Sequence, residues 1–352
     1  MPHIISGIQQ IGIGVSNAED AFTWYRKNLG FDVLLFDDVA NATLMKQYTG
    51  GEVASRHALL ALNLRGGGGI EIWQFKNRNP VQPHHSIQIG DTGIFGVKIK
   101  SQNIYQSYTI LKSEGVNMLT NITKSPEGIN HFYIQDPHKN IFEIIESTDW
   151  FTDSDFHLGG VAGCQIGVTN MEAAKNFYHQ ILGYDTVVYD VQKQFEDLQQ
   201  LPGGENPVRR ILLRHSQERT GSFSKLLGFS EIELIQAVDR KPKKIYANRY
   251  WGDLGFIHIC FDINGMSNLK KRCEEVGHAF TVDSTSSFGM GDAAGHFSYV
   301  EDPDGTLVEF VETHKIPILK KLGWYLDLRK RNPQKSLPDW MLKALRFNRV
   351  KD

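Results

Sequence analysis

Residues 8–31 read IQQIGIGVSNAEDAFTWYRKNLGF and residues 161–184 read VAGCQIGVTNMEAAKNFYHQILGY; the two stretches align without a gap at an offset of 153. A second pair closes the repeat: DPHKNIFEIIE at 136–146 aligns with DPDGTLVEFVE at 302–312, at an offset of 166. Self-similarity over such a span means that one architecture occurs twice in the chain. A finer grammar runs inside each copy. After the strand IGIGV, Asn17 and Asp20 mark a helix start, Phe22, Tyr25 and Leu29 follow at helical spacing, and Gly30 sits where a C-terminal cap belongs. The same order recurs with FGVKI (95–99), Tyr108, Leu111 and Gly115, and again with Asn170, Ala174, Phe177, Ile181 and Gly183. It recurs a last time with FIHICFDI (256–263), Asn264, Met266, Leu269, Cys273, Val276 and Gly277. Each unit then runs through alternating strands to a Glu-centred apolar strand: IEIWQ (70–74), IFEII (141–145), IELIQ (232–236) and LVEFV (307–311). The chain reads as four βαβββ units.

Composition agrees with a folded protein of this size. Of 352 residues, 41% are hydrophobic and 22% charged, with twenty Phe and six Trp, enough to bury a substantial core and to exclude wholesale disorder. Cys164, Cys260 and Cys273 are odd in number and lack C-x-x-C spacing, so they are expected as thiols in a reducing compartment. The opening MPHIISGIQQ has no basic region leading into a long apolar stretch, and nowhere do eighteen apolar residues run together. Neither export nor membrane spanning is expected, and the expected address is the cytoplasm. Charge is uneven: from Ile316 onward ten Lys/Arg face three Asp, a net of +7, which leaves −9 on residues 1–315 of a total of −2.

The pattern of a strand, an Asn-capped helix ending in LGF or LGY, and a DP-turn before a Glu-centred strand resembles the vicinal oxygen chelate superfamily. That superfamily includes glyoxalase I, methylmalonyl-CoA epimerase, extradiol dioxygenases and fosfomycin-resistance proteins. The resemblance spans about residues 4–314 and implies an α+β fold of two glyoxalase-like domains with curved mixed sheets. The first domain is expected at 1–150 (modules about 4–76 and 91–147) and the second at 155–315 (modules about 158–238 and 253–313). A basic extension, 316–352, follows. In this superfamily the first and last strands of each unit can each offer a metal ligand. Those positions here are Gln10, Gly96, Gly163 and His258, and Glu71, Glu143, Glu233 and Glu309. Strand parity supports the carry-over on its own terms: Gln10, Gly12 and Gly14 share one face, while Ile11, Ile13 and Val15 share the face that packs under the helix. In the fourth unit, likewise, His258, Cys260 and Asp262 should face opposite to Ile257, Ile259 and Phe261. A Glu amid an apolar strand is costly to bury ionised unless a cation, a proton or water meets it.

Glyoxalase-I-like chains of four units pair the first with the fourth and the second with the third. That pairing implies one site of Gln10, Glu71, His258 and Glu309 for a single divalent ion (Zn, Ni, Co, Fe or Mn), since two carboxylates, an imidazole and an amide leave an open-sided O/N sphere. The resemblance further implies proton transfer next to a carbonyl, with Glu309 as base and Glu71 returning the proton. The other pairing gives Gly96, Glu143, Gly163 and Glu233, whose two glycines supply no ligand; this second site is expected to be metal-free, with Lys98 and Gln165 on its inner faces and Lys98 in a structural ion pair. Pairing of the third unit with the fourth would instead select Glu233, His258 and Glu309. The arginines with which glyoxalase I grips glutathione fall at Gly14 and Leu254, so a glutathione substrate is not expected. The inserts at about 37–57, 190–211 and 215–229 should shape another pocket, with Trp73 and Trp251 as apolar wall or plain core.

Two alternatives stand beside this reading. A ring-cleaving Fe(II) or Mn(II) dioxygenase would normally use two His and one Glu, with the first His at Gly163; a non-catalytic protein would merely sequester a small molecule. The cluster Arg240, Lys241, Lys243, Lys244 and Arg249 reads as a solvated linker face rather than an anion site. In the tail, Ile318, Leu319 and Leu322 suggest one helix and Ser336-Leu337-Pro338-Asp339 starts another, both docked on the acidic body. GGGG at 66–69 reads as a turn. The expected partner is a small-molecule substrate, with no nucleic acid or membrane, for a monomer or homodimer.

Overall fold

The computed structural model describes residues 3–154, 156–285, 288–290, 293–319 and 324–350. The first unit comprises β1 (Ile4–Gly14), α1 (Ala18–Leu29), β2 (Val33–Ala42), β3 (Ala54–Leu62) and β4 (Gly69–Phe75). The second comprises β5 (Gly93–Ser101), α2 (Ile104–Ser113), β6 (Asn117–Met118), β7 (Thr123–Lys124), β8 (Asn130–Gln135) and β9 (Ile141–Glu146). The third has β10 (Leu158–Gly167), α3 (Met171–Leu182), β11 (Thr186–Lys193), β12 (Val208–Arg214), the short α4 (Ser224–Leu227) and β13 (Glu231–Ala237). The fourth has β14 (Gly255–Asn264), α5 (Met266–Glu275), β15 (Val282–Asp283), β16 (Phe288–Met290), β17 (Ala293–Glu301) and β18 (Leu307–Leu319). β19 (Trp324–Asp327) and α6 (Asp339–Lys343) belong to the tail.

Helix ends follow the sequence signals where the backbone is free to obey them. Asn17, Asn103 and Asn170 each accept a backbone N–H of the first turn, and Gly30 and Gly183 close their helices at φ 75° and 70°. Asn264 departs from expectation. It remains in the ladder as the last residue of β14, opposite Ile4, and Gly265 at φ 91° takes the N-cap position without a side-chain bond. The DP-turns tie units together: Asp136 accepts from the Tyr25 hydroxyl at 2.5 Å, and Asp302 from the Tyr178 hydroxyl at 3.0 Å. Each Asp also accepts backbone N–H groups of its own turn, those of His138 and Asn140 for Asp136 and of Asp304 and Thr306 for Asp302. The repeated aromatic–Tyr dipeptide and the repeated DP are thus two halves of one buried contact.

Among the described residues the strands form two mixed sheets. One runs β15-β17-β18-β14-β1-β4-β3-β2, with β16 on β17 and β19 on β18; the other runs β11-β12-β13-β10-β5-β9-β8-β6, with β7 on β8. The first unit therefore shares a sheet with the fourth, and the second with the third. Ile11, Ile13 and Val15 are fully buried in the core that also holds Phe22, Tyr25 and Leu29, as strand parity requires. Ile259 and Phe261 join that core, but Ile257 does not. The β1–β14 register shifts between Gly12 opposite His258 and Ile13 opposite Phe256, and this bulge turns Ile257 to the concave side, among Trp73, Trp251 and Tyr299.

The tail corrects another expectation. Residues 316–319 extend β18 instead of forming a helix, with Ile316 opposite Leu326 of β19. β-branched Ile316 and Ile318 around Pro317 favour extended backbone over helix. Leu322 lies outside the described residues. The second helix does begin after Pro338, as one short α turn followed by a 3-10 turn, Ala344–Asn348. Its Leu342, with Leu337 and Leu328, packs on Val33, Leu62, Leu64 and Leu226, joining the first unit to the third. No helix is long and apolar enough to cross a membrane among the described residues.

Candidate metal centre

Four adjacent strands, β4, β1, β14 and β18, set the site. β1 lies between β4 and β14, and Gly12 is opposite both Glu71 and His258; on the next strand pair Cys260 is opposite Glu309. This registry brings together side chains almost 300 residues apart in sequence. His258 Nε2 lies 3.0 Å from Glu309 Oε2 and 3.4 Å from Glu71 Oε2. One donor atom from each of these three residues falls within 4.8 Å of the others. Gln10 is 2% exposed, and its amide helps to hold the Glu71 carboxyl below its ordinary pKa. Gln10 and Glu71 on one side, and Glu309 on the other, flank the imidazole.

The polar accounting of this cluster is incomplete. Gln10 Oε1, both ring nitrogens of His258 and Glu309 Oε2 are buried without a hydrogen-bond partner. The 3.0 Å approach of His258 to Glu309 is an ion-pair distance whose direction does not satisfy hydrogen-bond geometry. Buried polar atoms are ordinarily bonded, so donor atoms left unsatisfied on three neighbouring side chains suit a cation between them. The set (carboxylate, carboxylate, imidazole, amide) fits a divalent ion of the Zn, Ni, Co, Fe or Mn group. Burial pulls the His258 pKa down, but Glu309 and Glu71 outweigh it and lift it to about 9 in the ion-free protein. Burial raises Glu71, yet His258, Arg56 and Gln10 bring it below the ordinary carboxylate value. Burial and the Glu309 charge push the Cys260 thiol well up, so it stays protonated beside the set.

The surroundings are aromatic. Trp251 stacks on the His258 ring at 6.5 Å with an interplanar angle of 14°, Tyr299 meets it edge-on at 5.5 Å, and Trp73 packs on Trp251 at 4.6 Å. Trp73 is fully buried and Trp251 is 7% exposed, so both are core residues of the concave face. Behind Trp251 lies a cavity of about 280 Å³ bordered by Tyr48, Lys244, Tyr246, Ile257 and Leu307. Gly14 lies directly beneath a crossing chain, for a Cβ there would stand 2.0 Å from the Asp253 carbonyl oxygen. Neither Gly14 nor the buried Leu254 offers the basic group of the glutathione clamp. Of the basic cluster at 240–249, Arg240 pairs with Asp91, and Arg249 is buried, donating to the carbonyls of Ile245, Leu254 and Val81.

The inner pair of units holds a different arrangement. Lys98 Nζ lies 2.8 Å from Glu231, 3.0 Å from Glu233 and 3.4 Å from Glu143. Gln165 Nε2 donates to Glu143 and Glu233, each at 3.1 Å, and Arg210 Nε donates to Glu233 at 2.6 Å. Burial would raise the pKa of Glu233, but Arg210 and Lys98 drive it far below the ordinary value. The ion pair expected of Lys98 is present and serves three carboxylates. The alternative set of Glu233, His258 and Glu309 is not assembled, because Glu233 belongs to the other sheet and is bound by Lys98 and Arg210. Gly163 has no room for a side chain: a Cβ would lie 2.1 Å from the Glu231 carbonyl oxygen.

Sequence reading missed Tyr299, Arg210, Glu231 and Arg56. Glu231 carried a signal, standing two residues before Glu233 on the same strand face; Arg210 likewise interrupts an apolar strand. No curated protein matches the chain in sequence. Among solved structures it is similar to glyoxalase I from Zea mays, at 14% identity and a TM-score of 0.52, covering 87% of this chain and 92% of that one. It is also similar to a proposed dioxygenase from Bacillus subtilis, at 14% identity and a TM-score of 0.57, covering 88% and 86%. Identities this low speak for fold alone. The profile of the glyoxalase/bleomycin resistance protein/dioxygenase superfamily, whose members include metal-dependent enzymes, matches residues 7–144 and 160–310. The chain belongs to that superfamily.

Proposed function

We propose that this chain is a metal-dependent enzyme in which Gln10, Glu71, His258 and Glu309 hold one divalent ion and catalyse proton transfer next to a carbonyl, as an isomerase, epimerase or lyase. The substrate is a small compound with vicinal oxygens and is not linked to glutathione. The observation that carries the reading is the convergence of unsatisfied, buried donor atoms from Gln10, His258 and Glu309 beside the Glu71 carboxylate. A bound ion supplies Lewis-acid polarisation of the substrate oxygens. Glu309 is the base that accepts the carbon-bound proton and then yields it to solvent, and Glu71, which takes up a proton from solvent at its exposed edge, delivers one from the other side of the imidazole. Trp251 and Tyr299 exclude water from the His258 side, which strengthens the electrostatics of both carboxylates. The closed position at Gly163 speaks against the histidine that ring-cleaving dioxygenases place there.

Metal analysis of untagged protein tests the reading, paired with the substitutions Gln10→Ala and Glu71→Ala. About one ion per chain is expected in the wild type and a marked loss in both variants. Unchanged metal content in the variants rejects this ligand set. Glu309→Gln then separates enzyme from binding protein. In a screen of thiohemiacetals, acyl-CoA epimers and 2-hydroxy ketones, turnover should vanish while folding persists; a wild type that binds such a compound and never converts it is a sequestering protein.

A further inference from the structure

The tail presents a surface that the metal centre does not use. Residues 328–350 carry seven Lys/Arg against Asp339 alone, a net of +6, and Asp339 is itself paired with Lys225 Nζ at 2.7 Å. Arg329 and Arg349 are paired with Asp327 and Asp32, but Lys330, Lys335, Lys343 and Arg346 have no carboxylate within salt-bridge distance among the described residues. α6 and the 3-10 turn after it lay one side on the body. Leu342 is 1% exposed there, with Met341 and Leu345 packed beside it on the cluster of Leu62, Leu64 and Leu226. The other side carries Trp340, 66% exposed, and Phe347, 79% exposed, with Lys343 between them at helical spacing. The Arg346 guanidinium lies 5.2 Å from the centre of the Phe347 ring.

This exposure does not come from a loose end. Before α6 the Leu337 N–H donates to the Ser222 carbonyl at 2.9 Å, and after the 3-10 turn the Val350 N–H donates to the Asp32 carbonyl at 2.9 Å. Two aromatic rings are thus held in water by a segment that is fastened on both sides. Aromatic rings set among unpaired Lys and Arg suit a lipid–water interface, where the rings enter the headgroup region and the cations meet anionic lipid. Charge separates the candidate partners. Residues 1–315 carry −9, so an anionic surface attracts the tail and repels the body, which fixes the orientation of approach. A lipid surface can meet the outer side of the tail alone, whereas a nucleic-acid strand tracking beyond it runs onto the acidic body.

We infer that the outer side of the tail, centred on Trp340 and Phe347, docks on an anionic phospholipid surface. The contact is peripheral, since α6 is five residues long and crosses nothing. The sequence gives no expectation of a membrane partner because its test is a long apolar run, and which tail residues stay uncovered is decided by packing. The inference is independent of the metal-centre reading. Each Lys or Arg near such a surface contributes about fivefold in partitioning, and each aromatic ring moved into the interface about tenfold or more.

The full chain is sedimented with vesicles of phosphatidylcholine alone and with vesicles of equal parts phosphatidylcholine and phosphatidylglycerol, at low and at high salt. Wild type should prefer the anionic vesicles by at least about tenfold and lose most of that preference in high salt. Lys343→Glu with Arg346→Glu should lower anionic partitioning by about 25-fold or more, and Trp340→Ala with Phe347→Ala by at least about tenfold. Urea midpoints should stay unchanged in both, because all four side chains are exposed. As a second readout, brominated lipid in the anionic vesicles should quench the tryptophan emission of the wild type and that of Trp340→Tyr far less. Equal binding to both kinds of vesicle, or anionic binding that survives both double variants, overturns the inference. So does a wild type that binds no vesicles; a dimer that Trp340→Ala with Phe347→Ala dissociates then assigns the surface to a second copy, and binding to single-stranded RNA assigns it to nucleic acid.

Discussion

Enlarging Gly12 by one methyl group puts the proposed centre to a geometric test. Gly12 is not among the residues at positive φ, so alanine suits its backbone, and the consequence is steric. A Cβ at this position would lie 2.4 Å from His258 Cε1 and 2.7 Å from both ring nitrogens, whereas ordinary contact begins at 3.4 Å, so the ring must retreat by about 1 Å. Little room exists for that. The ring is fully buried, Trp251 is stacked along it at 6.5 Å, and Tyr299 stands against it at 5.5 Å. Ligand distances in metal sites hold to within about 0.2 Å, so a displacement several times larger removes the imidazole from the coordination sphere. Loss of a supporting contact alone costs about 10–100-fold in metal affinity, and loss of a ligand should exceed that. Overpacking costs about 1–3 kcal/mol of stability, which leaves a domain of this kind folded. Competition for Co(II) against a chromophoric chelator gives the affinity, and urea unfolding of the ion-free protein gives the stability. The expected result is a drop of more than about 100-fold in the first with a modest loss in the second. An alanine variant that binds cobalt as tightly as the wild type would refute the placement of His258 around the ion.

Three further outcomes are expected. Lys98→Met leaves Glu143, Glu231 and Glu233 with one cation fewer, all within 3.4 Å of the lost ammonium, and breaking such a buried network costs about 3–5 kcal/mol at neutral pH. Because Glu143 and Glu233 lose a charge that holds their carboxyls below the ordinary value, the urea midpoint of the variant should recover relative to wild type between pH 7 and pH 5. His157, buried beside Arg65, has its pKa lowered from 6.5 to about 4, first by burial and then by that charge. The unfolded chain takes up a proton below 6.5 that the folded imidazole refuses until about 4, so stability falls with pH across this window, by about 2–3 kcal/mol after allowance for partial exposure. His157→Gln should lose that part of the acid sensitivity in denaturant melts taken from pH 7 to pH 4. Leu342→Ala, at a side chain 1% exposed against Leu62, Leu64 and Leu226, should cost about 2–5 kcal/mol in the same measurement if the tail is part of the folded unit.

The fold was legible because repetition multiplies weak signals. An Asn-capped helix or a Glu in an apolar strand means little once, but four copies in register leave few architectures, and alternation then assigns Gln10 to one face and Ile11 to the other. The same reasoning reaches Glu71, His258 and Glu309, each a polar residue in an apolar strand. It fails where the local count is broken. The bulge that carries Ile257 to the concave face comes from pairing with β1, a strand some 240 residues away, and no spacing within β14 announces it. Asn264 looked like its three counterparts and stayed in the ladder because Ile4 was there to pair with it. The tail misled for a related reason: Ile318, Leu319 and Leu322 have helical spacing, but strand propensity at Ile316 and Ile318 and an available partner in β19 decided the backbone. Arg56, whose charge helps to lower the Glu71 pKa, could not be found from sequence, since it stands two residue pairs along the β3–β4 ladder from Glu71.

The two sheets pose one electrostatic problem and solve it in different ways. Each turns a pair of last-strand glutamates inward, Glu71 with Glu309 and Glu143 with Glu233, where an ionised carboxylate is tolerable only against positive charge. In the inner sheet that charge is covalently built in. Lys98 occupies the strand position that is Cys260 in the outer sheet, Gln165 the one that is Gly12, and with Arg210 they bond the carboxylates directly. In the outer sheet the equivalent side chains are a small neutral thiol and a hydrogen atom, and the imidazole that stands between the glutamates leaves donor atoms unsatisfied around it. Had Cys260 and Gly12 carried a lysine and a glutamine, the space between the carboxylates would be filled and their lone pairs engaged. The absence of bulk at Gly12 is what lets the His258 ring stand between the glutamates, and the small thiol at Cys260 leaves their oxygens unengaged, as the proposed cation requires. It also explains why competence for metal chemistry is proposed for one sheet and not both, although the glutamates are common to the two.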